Sequence, residues 1–264
     1  VSTARLAPGV ALVTVPGQGL AVRTPDGQFL RVDTRTADPA ALVAHLTGTT
    51  GDSPALEGLT DAFEQAGYLA RPGGSSPRLA GRTVLVLGDE PLTGAITRLV
   101  RAEGGEARAA RPGELPAVQG PGTAVAWCLD APVPSGLWDD ADRLPARGVA
   151  WLRCHREGAT AWLEPLAVGP GDVTSAHIRL RRLAATPAHR ELAAYWAGSC
   201  TTDNGPAHSA ASAALTAALL TADLVAWAAG ADGSRRLLRR VDLRDLAVTA
   251  HPVLPVPDVA PVTR

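Results

Sequence analysis

The stretch Thr83–Gly105, TVLVLGDEPLTGAITRLVRAEGG, decides how the larger part of this chain is read. Val84–Leu87 is a short apolar run rich in β-branched residues, the pattern of a buried strand. Gly88 turns the chain, and from Leu92 onward apolar residues recur at helical spacing. Strand, glycine turn and amphipathic helix form the setting of a dinucleotide-binding Gly-x-Gly-x-x-Gly turn. Counted from Gly88, the second glycine position holds Glu90 and the third holds Thr93. The second glycine lets backbone approach a pyrophosphate; Glu90 instead adds a side chain and a negative charge that repels one. The residues therefore predict a nucleotide-type fold whose loop at Gly88, Glu90 and Thr93 is degenerate.

Downstream the text keeps alternating, as an α/β domain does. We expect a helix to about Ala102, a weak strand Ala107–Ala109, a strand Ala124–Leu129 and a helix Leu137–Arg147. Strands Val149–Cys154 and Thr160–Leu163 follow across the turn Glu157-Gly158. Helices Thr174–Ala184, Pro187–Ala197 and Ala207–Ala229 come next, then strand-like Leu237–Leu243 and Ala247–Val253, then a Pro-rich tail. Ala210–Ala229 is apolar, but Thr216, Thr221 and Asp223 interrupt it, so it reads as a buried helix and not a membrane span. No uninterrupted run reaches the roughly 18 apolar residues of a spanning helix.

Upstream, Arg71–Pro77 (RPGGSSP) has a linker's composition. It divides the chain into residues 1–72, a linker at 73–78, and residues 79–264. The first part reads as three strands and two helices. Val10–Val15, Leu20–Arg23 and Phe29–Val32 are separated by the turn texts PGQG and TPDG, where Pro and Gly supply the turn conformations. Asp38-Pro39 caps and opens a helix carrying Leu42, Val43 and Leu46. A second helix runs from about Ser53 to Ala66, with Leu56, Leu59, Phe63 and Ala66 on one face and Gly67 as its left-handed cap. Three short antiparallel strands packed on helices make a small winged-helix-like α+β module.

Composition narrows the function. With 264 residues either unit can bury a core. A net charge of −1 opposes phosphate-driven nucleic-acid binding. The second helix carries Glu57, Asp61 and Glu64 and no arginine, which argues against a DNA-reading winged helix. None of the 25 Lys+Arg residues is lysine, so Schiff-base and P-loop lysine chemistry are excluded. Three cysteines, Cys128, Cys154 and Cys200, without a C-x-x-C, suggest neither a disulfide framework nor zinc. The N-terminal residues lack a secretion signal, so a reducing cytoplasm is the expected compartment.

Several clusters could carry chemistry and are read plainly. His155, His177, His189, His208 and His251 are scattered and read as core or surface histidines. Asp139, Asp140 and Asp142 read as a solvated helix start. Arg179, Arg181, Arg182 and Arg190 read as a solvated basic face. Cys200-Thr201-Thr202-Asp203 has nucleophile-like residues without a neighbouring base, and no catalysis is assigned to it.

Two stretches carry a family resemblance. LAPGVALVTVPGQGLAVRTPDGQFLRV, the capped helix and ALEGLTDAFEQAGYL resemble the PqqD-like recognition element of proteins that modify ribosomally made peptides. The turn VLVLGDEPLTG, the segment AWLEPLAVGPGDVT and RLRRLAATPAHRELAAYW resemble the E1/ThiF-like domain of cyclodehydratase partner proteins from azole-forming and thiopeptide pathways. The resemblance implies a winged-helix-like module followed by a Rossmann-like E1/ThiF-type α/β domain. Such relatives often bind zinc through Thr-x-Cys-x-x-Cys after the Pro-Gly turn and a further cysteine pair near the C-terminus. Here Ala176 and Arg179 stand where the first cysteine pair would be, and the tail has no cysteine, so no metal is expected. With the glycine loop spoiled, no nucleotide cofactor is expected either.

The resemblance also implies a function. The open edge Phe29, Leu30, Arg31, Val32 and Asp33 would accept an extended leader peptide as a further strand, against a wall of Leu59, Ala62, Phe63 and Ala66. Phe29, Leu59 and Phe63 could equally be ordinary core. The larger domain would dock a YcaO-type cyclodehydratase, an ATP-using enzyme that cyclises Cys, Ser or Thr side chains onto the backbone. Tethering the leader raises the local concentration of the substrate peptide there. This chain would then be a scaffold with no catalytic residue of its own. A homodimer through the E1-like domain is common among relatives and is not decided by these residues. The alternative reading is an adenylating or NAD-binding enzyme on the same frame, resting on the strand–Gly88–helix setting.

Overall fold

The computed structural model describes residues 5–34, 37–49, 54–70, 77–201 and 205–257. The chain separates into two compact units, Val1–Ser75 and Ser76–Arg264. Most of the stretch read as a linker lies outside the described residues.

In the first unit, strands β1 (Ala11–Val15), β2 (Gly19–Arg23) and β3 (Phe29–Val32) form an antiparallel sheet in that order. The β1–β2 turn places Gly17 and Gly19 at positive φ. The β2–β3 loop closes with Thr24 N–H donating to Gln28 O and Gly27 N–H to Thr24 O. Gly27 there adopts φ 87°, which a side chain would resist. Helix α1 (Pro39–Leu46) is capped by Asp38, whose carboxylate accepts from Ala40 N–H. The second expected helix starts later than its sequence suggested. Pro54–Leu56 is a 3₁₀ turn, and α2 proper is Glu57–Gln65; Ser53 lies outside the described residues. Gly67 at φ 74° ends it. Leu20, Val22, Leu42, Leu46, Leu56 and Phe63 make the core, with Leu12, Val32, Leu59, Tyr68 and Leu69 around it.

The second unit is a seven-stranded mixed sheet. Its strands are β4 (Thr83–Gly88), β5 (Glu106–Ala109), β6 (Thr123–Leu129), β7 (Ala150–Glu157), β8 (Thr160–Leu163), β9 (Leu237–Asp242) and β10 (Val248–Pro252). They are ordered β10-β9-β8-β7-β6-β4-β5. β5, β4, β6 and β7 run parallel, and β7, β8, β9 and β10 pair antiparallel in turn. Because side chains alternate along a strand, the sheet feeds two cores. On one face Val84, Val86, Ala124, Ala126, Cys128 and Leu152 pack with helices α3 (Leu92–Ala102) and α6 (Ala210–Ala228). On the other, Leu87, Val125, Trp127 and Trp151 meet Trp138, Leu144 and Val149. Helices α4 (Ser175–Ala184) and α5 (His189–Trp196) complete the unit.

One expectation changes and another holds. Leu137–Arg147 is not one helix: Pro145, lacking an N–H, sits in a 3₁₀ segment, Ala141–Arg147, after a turn. The apolar α6 is long enough to cross a membrane by length and composition. It instead buries Ala213, Ala217, Leu220 and Leu224 in the core, and Ser209 caps its start.

Candidate functional site

The β3 edge is built by register. β2 pairs with β3 as Val22↔Leu30 and Leu20↔Val32. The Thr24–Gln28 hydrogen bond fixes which residues of β3 turn their backbone inward. Antiparallel pairs alternate, so Leu30 and Val32 bond to β2, while the N–H and C=O of Phe29 and Arg31 point to the open side. Side chains alternate too. Leu30 and Val32 share the core face with Val22 and Leu20, and Phe29 and Arg31 lie on the opposite face.

The nine edge and wall residues therefore split by role. Val32, Leu59 and Phe63 belong to one apolar cluster, and Phe63 meets Tyr68 edge-on at 5.9 Å. Ala62 on α2 and Ala66 just past its end are exposed, and Asp33 is exposed just past β3. Leu30 faces the core side yet is 43 % exposed. Phe29 is 63 % exposed on the other face, and Arg31 bonds Gln18 Oε1 there. No strand pairs with the outer side of β3 among the described residues.

At the Gly88 turn, the structure gives the glycine a reason that needs no nucleotide. Gly88 has φ 114°, and a Cβ there would stand 1.7 Å from Cys128 O on β6. Gly88→Ala is expected to destabilise the fold by ~2–4 kcal/mol; a urea-unfolding midpoint checks this. The Glu90 carboxylate accepts from Thr93 Oγ1 at 2.9 Å and from Gly94 N at 3.3 Å. It thus occupies backbone N–H at the start of α3, the place a phosphate uses in a nucleotide turn. Beside it, Asp89 Oδ2 accepts from Asp130 N–H, and Asp130 in turn takes Arg156 Nε at 2.6 Å and His208 N–H. His208 is buried, and burial pushes its imidazole below its ordinary range against the pull of Asp130.

Two clusters read as solvated are so only in part: Asp139, Asp140, Arg181 and Arg190 are exposed, and Asp142, Arg179 and Arg182 are partly buried. Asp142 accepts from Trp151 Nε1 at 3.0 Å and from both N–H and Oγ of Ser175, so it joins β7 to the start of α4. Arg182 forks onto Glu157, with Nη1–Oε1 at 3.0 Å, and stacks on Trp162 at 4.0 Å. Arg179 lies over Trp196 and donates to Val133 O. Arg181 holds the carbonyls of Leu254 and Pro255. Arg190 is exposed, as its sequence setting suggests.

Glu157 also accepts from Trp196 Nε1 at 2.7 Å and faces His155 Nε2 at 3.2 Å. Burial pushes its carboxyl up, but the bonds from His155 and Arg182 outweigh this and hold it well below its ordinary 4.5. A depressed carboxylate stabilises above its unfolded value and loses that contribution as pH falls through the folded one. Stability of this unit should therefore fall as pH drops below 4.5, and Glu157→Gln should flatten that slope in urea titrations. Beneath it, Arg153 and Glu164 form a fully buried pair at 2.6 Å. Sequence reading missed this set. Its signal was the pair of polar residues Arg153 and His155 inside a strand that the parallel sheet buries on both faces.

Fold and site together define a mixed α/β domain built on a seven-stranded sheet, and a separate three-stranded module. No protein-family model matches the sequence, and no curated protein does. Solved structures do match. One is a heterocyclase in complex with substrate and cofactor, with TM-score 0.68, 13 % identity and 96 % of this chain covered. The chain spans 38 % of that heterocyclase's length. Another is the E. coli microcin synthetase McbBCD complex, with TM-score 0.53, 12 % identity, and 97 % and 98 % of the two chains covered. A third is E. coli MccB, with TM-score 0.62, 10 % identity, and 97 % and 95 % covered.

Proposed function

We propose that this chain binds the leader of a ribosomally made precursor peptide along β3 and presents it to a YcaO-type cyclodehydratase. The observation that carries this reading is Leu30, an apolar residue on the core face of an unpaired edge strand that the protein itself leaves 43 % exposed. An incoming strand would bond to the outward N–H and C=O of Phe29 and Arg31 and lay a side chain over Leu30. The likeness to heterocyclase and microcin synthetase folds supports the same setting. The second unit acts as a scaffold, because the Glu90 carboxylate takes the backbone N–H at the start of α3 that a nucleotide's phosphate would use.

Titrating a labelled leader peptide against the whole chain should show saturable binding, with no turnover until the cyclodehydratase is added. Absence of binding removes the proposal. Calorimetry with ATP and NAD(H) should show no heat of binding; micromolar affinity would restore the enzyme reading.

A further inference from the structure

We propose that the small cavity under α4 and α5 is a binding site for one structural water, which bridges Trp138 Nε1, His155 Nδ1 and Glu164 Oε1 and accompanies a neutral His155 protonated on Nε2. The cavity is lined by Trp138, His155, Glu157, Glu164, Arg182 and Trp196, among others. Counted as space for water centres it measures about 10 Å³, room for about one molecule.

Polar valence says what fills it. Trp138 Nε1 and His155 Nδ1 are buried and make no hydrogen bond to the described residues. His155 Nδ1 stands 3.8 Å from Glu164 Oε1, too far for a direct bond and a distance at which a bridging water fits. The surrounding charges are Glu157 and Glu164 against Arg153 and Arg182, with Arg179 also lining the cavity. Arg153 and Arg182 already pair with these two carboxylates, so neither carboxylate needs a charge on His155.

A neutral His155 has one N–H. Its Nε2 faces Glu157 Oε1, a carboxylate that only accepts, so the proton belongs on Nε2. That leaves Nδ1 as an acceptor opposite another acceptor, Glu164 Oε1. Only a group with two protons can satisfy both, and Trp138, which lines the same cavity, carries a pure donor, Nε1–H, that has no acceptor among the described residues. Water gives two protons and accepts one, which completes all three.

The site lies where α4 supplies Arg182 and α5 supplies Trp196, and α5 has no buried residue of its own. The water therefore belongs to the polar core on which both helices rest.

The test uses the unmodified chain. A high-resolution crystal structure should show a solvent peak at about 2.7–3.2 Å from each of the three atoms. Nitrogen-15 NMR of histidine-labelled protein near neutral pH should show His155 with a bonded proton on Nε2 and none on Nδ1. A proton on Nδ1, protons on both nitrogens, or no solvent peak among the three atoms overturns the proposal. None of these outcomes bears on leader-peptide binding at β3.

Discussion

Leu30→Glu is expected to weaken leader-peptide binding by roughly 30-fold, about 2 kcal/mol. The edge register sets this expectation. Leu30 shares the core face with Val22, so a docked strand would cover it and desolvate whatever side chain stands there. A carboxylate placed there would be buried without a partner, and that penalty exceeds the value of the apolar packing it replaces. Because Leu30 is already 43 % exposed, the same substitution should leave the melting temperature of the free chain nearly unchanged. Two companions separate an edge mechanism from general surface effects. Phe29→Ser alters the opposite face and should leave affinity within about threefold, since its backbone still serves the edge. Arg31→Pro removes an outward N–H while sparing the Leu30 and Val32 bonds to β2, and should reduce affinity at least tenfold, about 1.4 kcal/mol. Equal losses for Phe29→Ser and Leu30→Glu would sink the strand-addition geometry. Fluorescence anisotropy with the labelled leader reads all three.

What the sequence made legible follows the range of each interaction. Strand boundaries in the first unit, the Asp38 cap and the Gly67 stop are local, and the text carries them. The alternation of strands and helices after Thr83 gives the α/β class for the same reason. The face on which each edge residue lies depends on a pairing register, and the text at Phe29–Val32 does not show which neighbours exchange hydrogen bonds. Glu90 was legible as an intruder in a glycine loop. That its carboxylate accepts from Gly94 N–H needed the folded turn. The readings of Asp142 and Arg182 as solvated failed for one physical reason. Asp142 bonds Ser175, 33 positions away, and Arg182 bonds Glu157, 25 positions away. Partners so distant leave no local periodicity, and a charged residue that has found one looks in sequence like any surface residue.

The largest stability effect is expected from Arg153→Ala. Arg153 is fully buried, with Nε on Glu164 at 2.6 Å, Nη2 on Val173 O at 2.8 Å and Nη1 near Pro165 O. It thereby ties β7 to the segment that leads into α4. Removing it strands the Glu164 carboxylate in the core and leaves two carbonyls without their donor. Breaking one side of such a pair costs about 3–5 kcal/mol. For a unit of this size that lowers the melting temperature by on the order of 10 °C. The cause can be separated from simple loss of packing volume. Glu164→Gln with Arg153 in place removes the negative charge but keeps shape, and strands the guanidinium instead. The double change Arg153→Leu with Glu164→Leu removes both charges and should recover most of the loss, because an apolar pair owes no desolvation. If the single and double variants lose equal stability in urea unfolding, the deficit is a cavity and not an uncompensated charge. The ion pair would then be incidental to how β7 and α4 are joined.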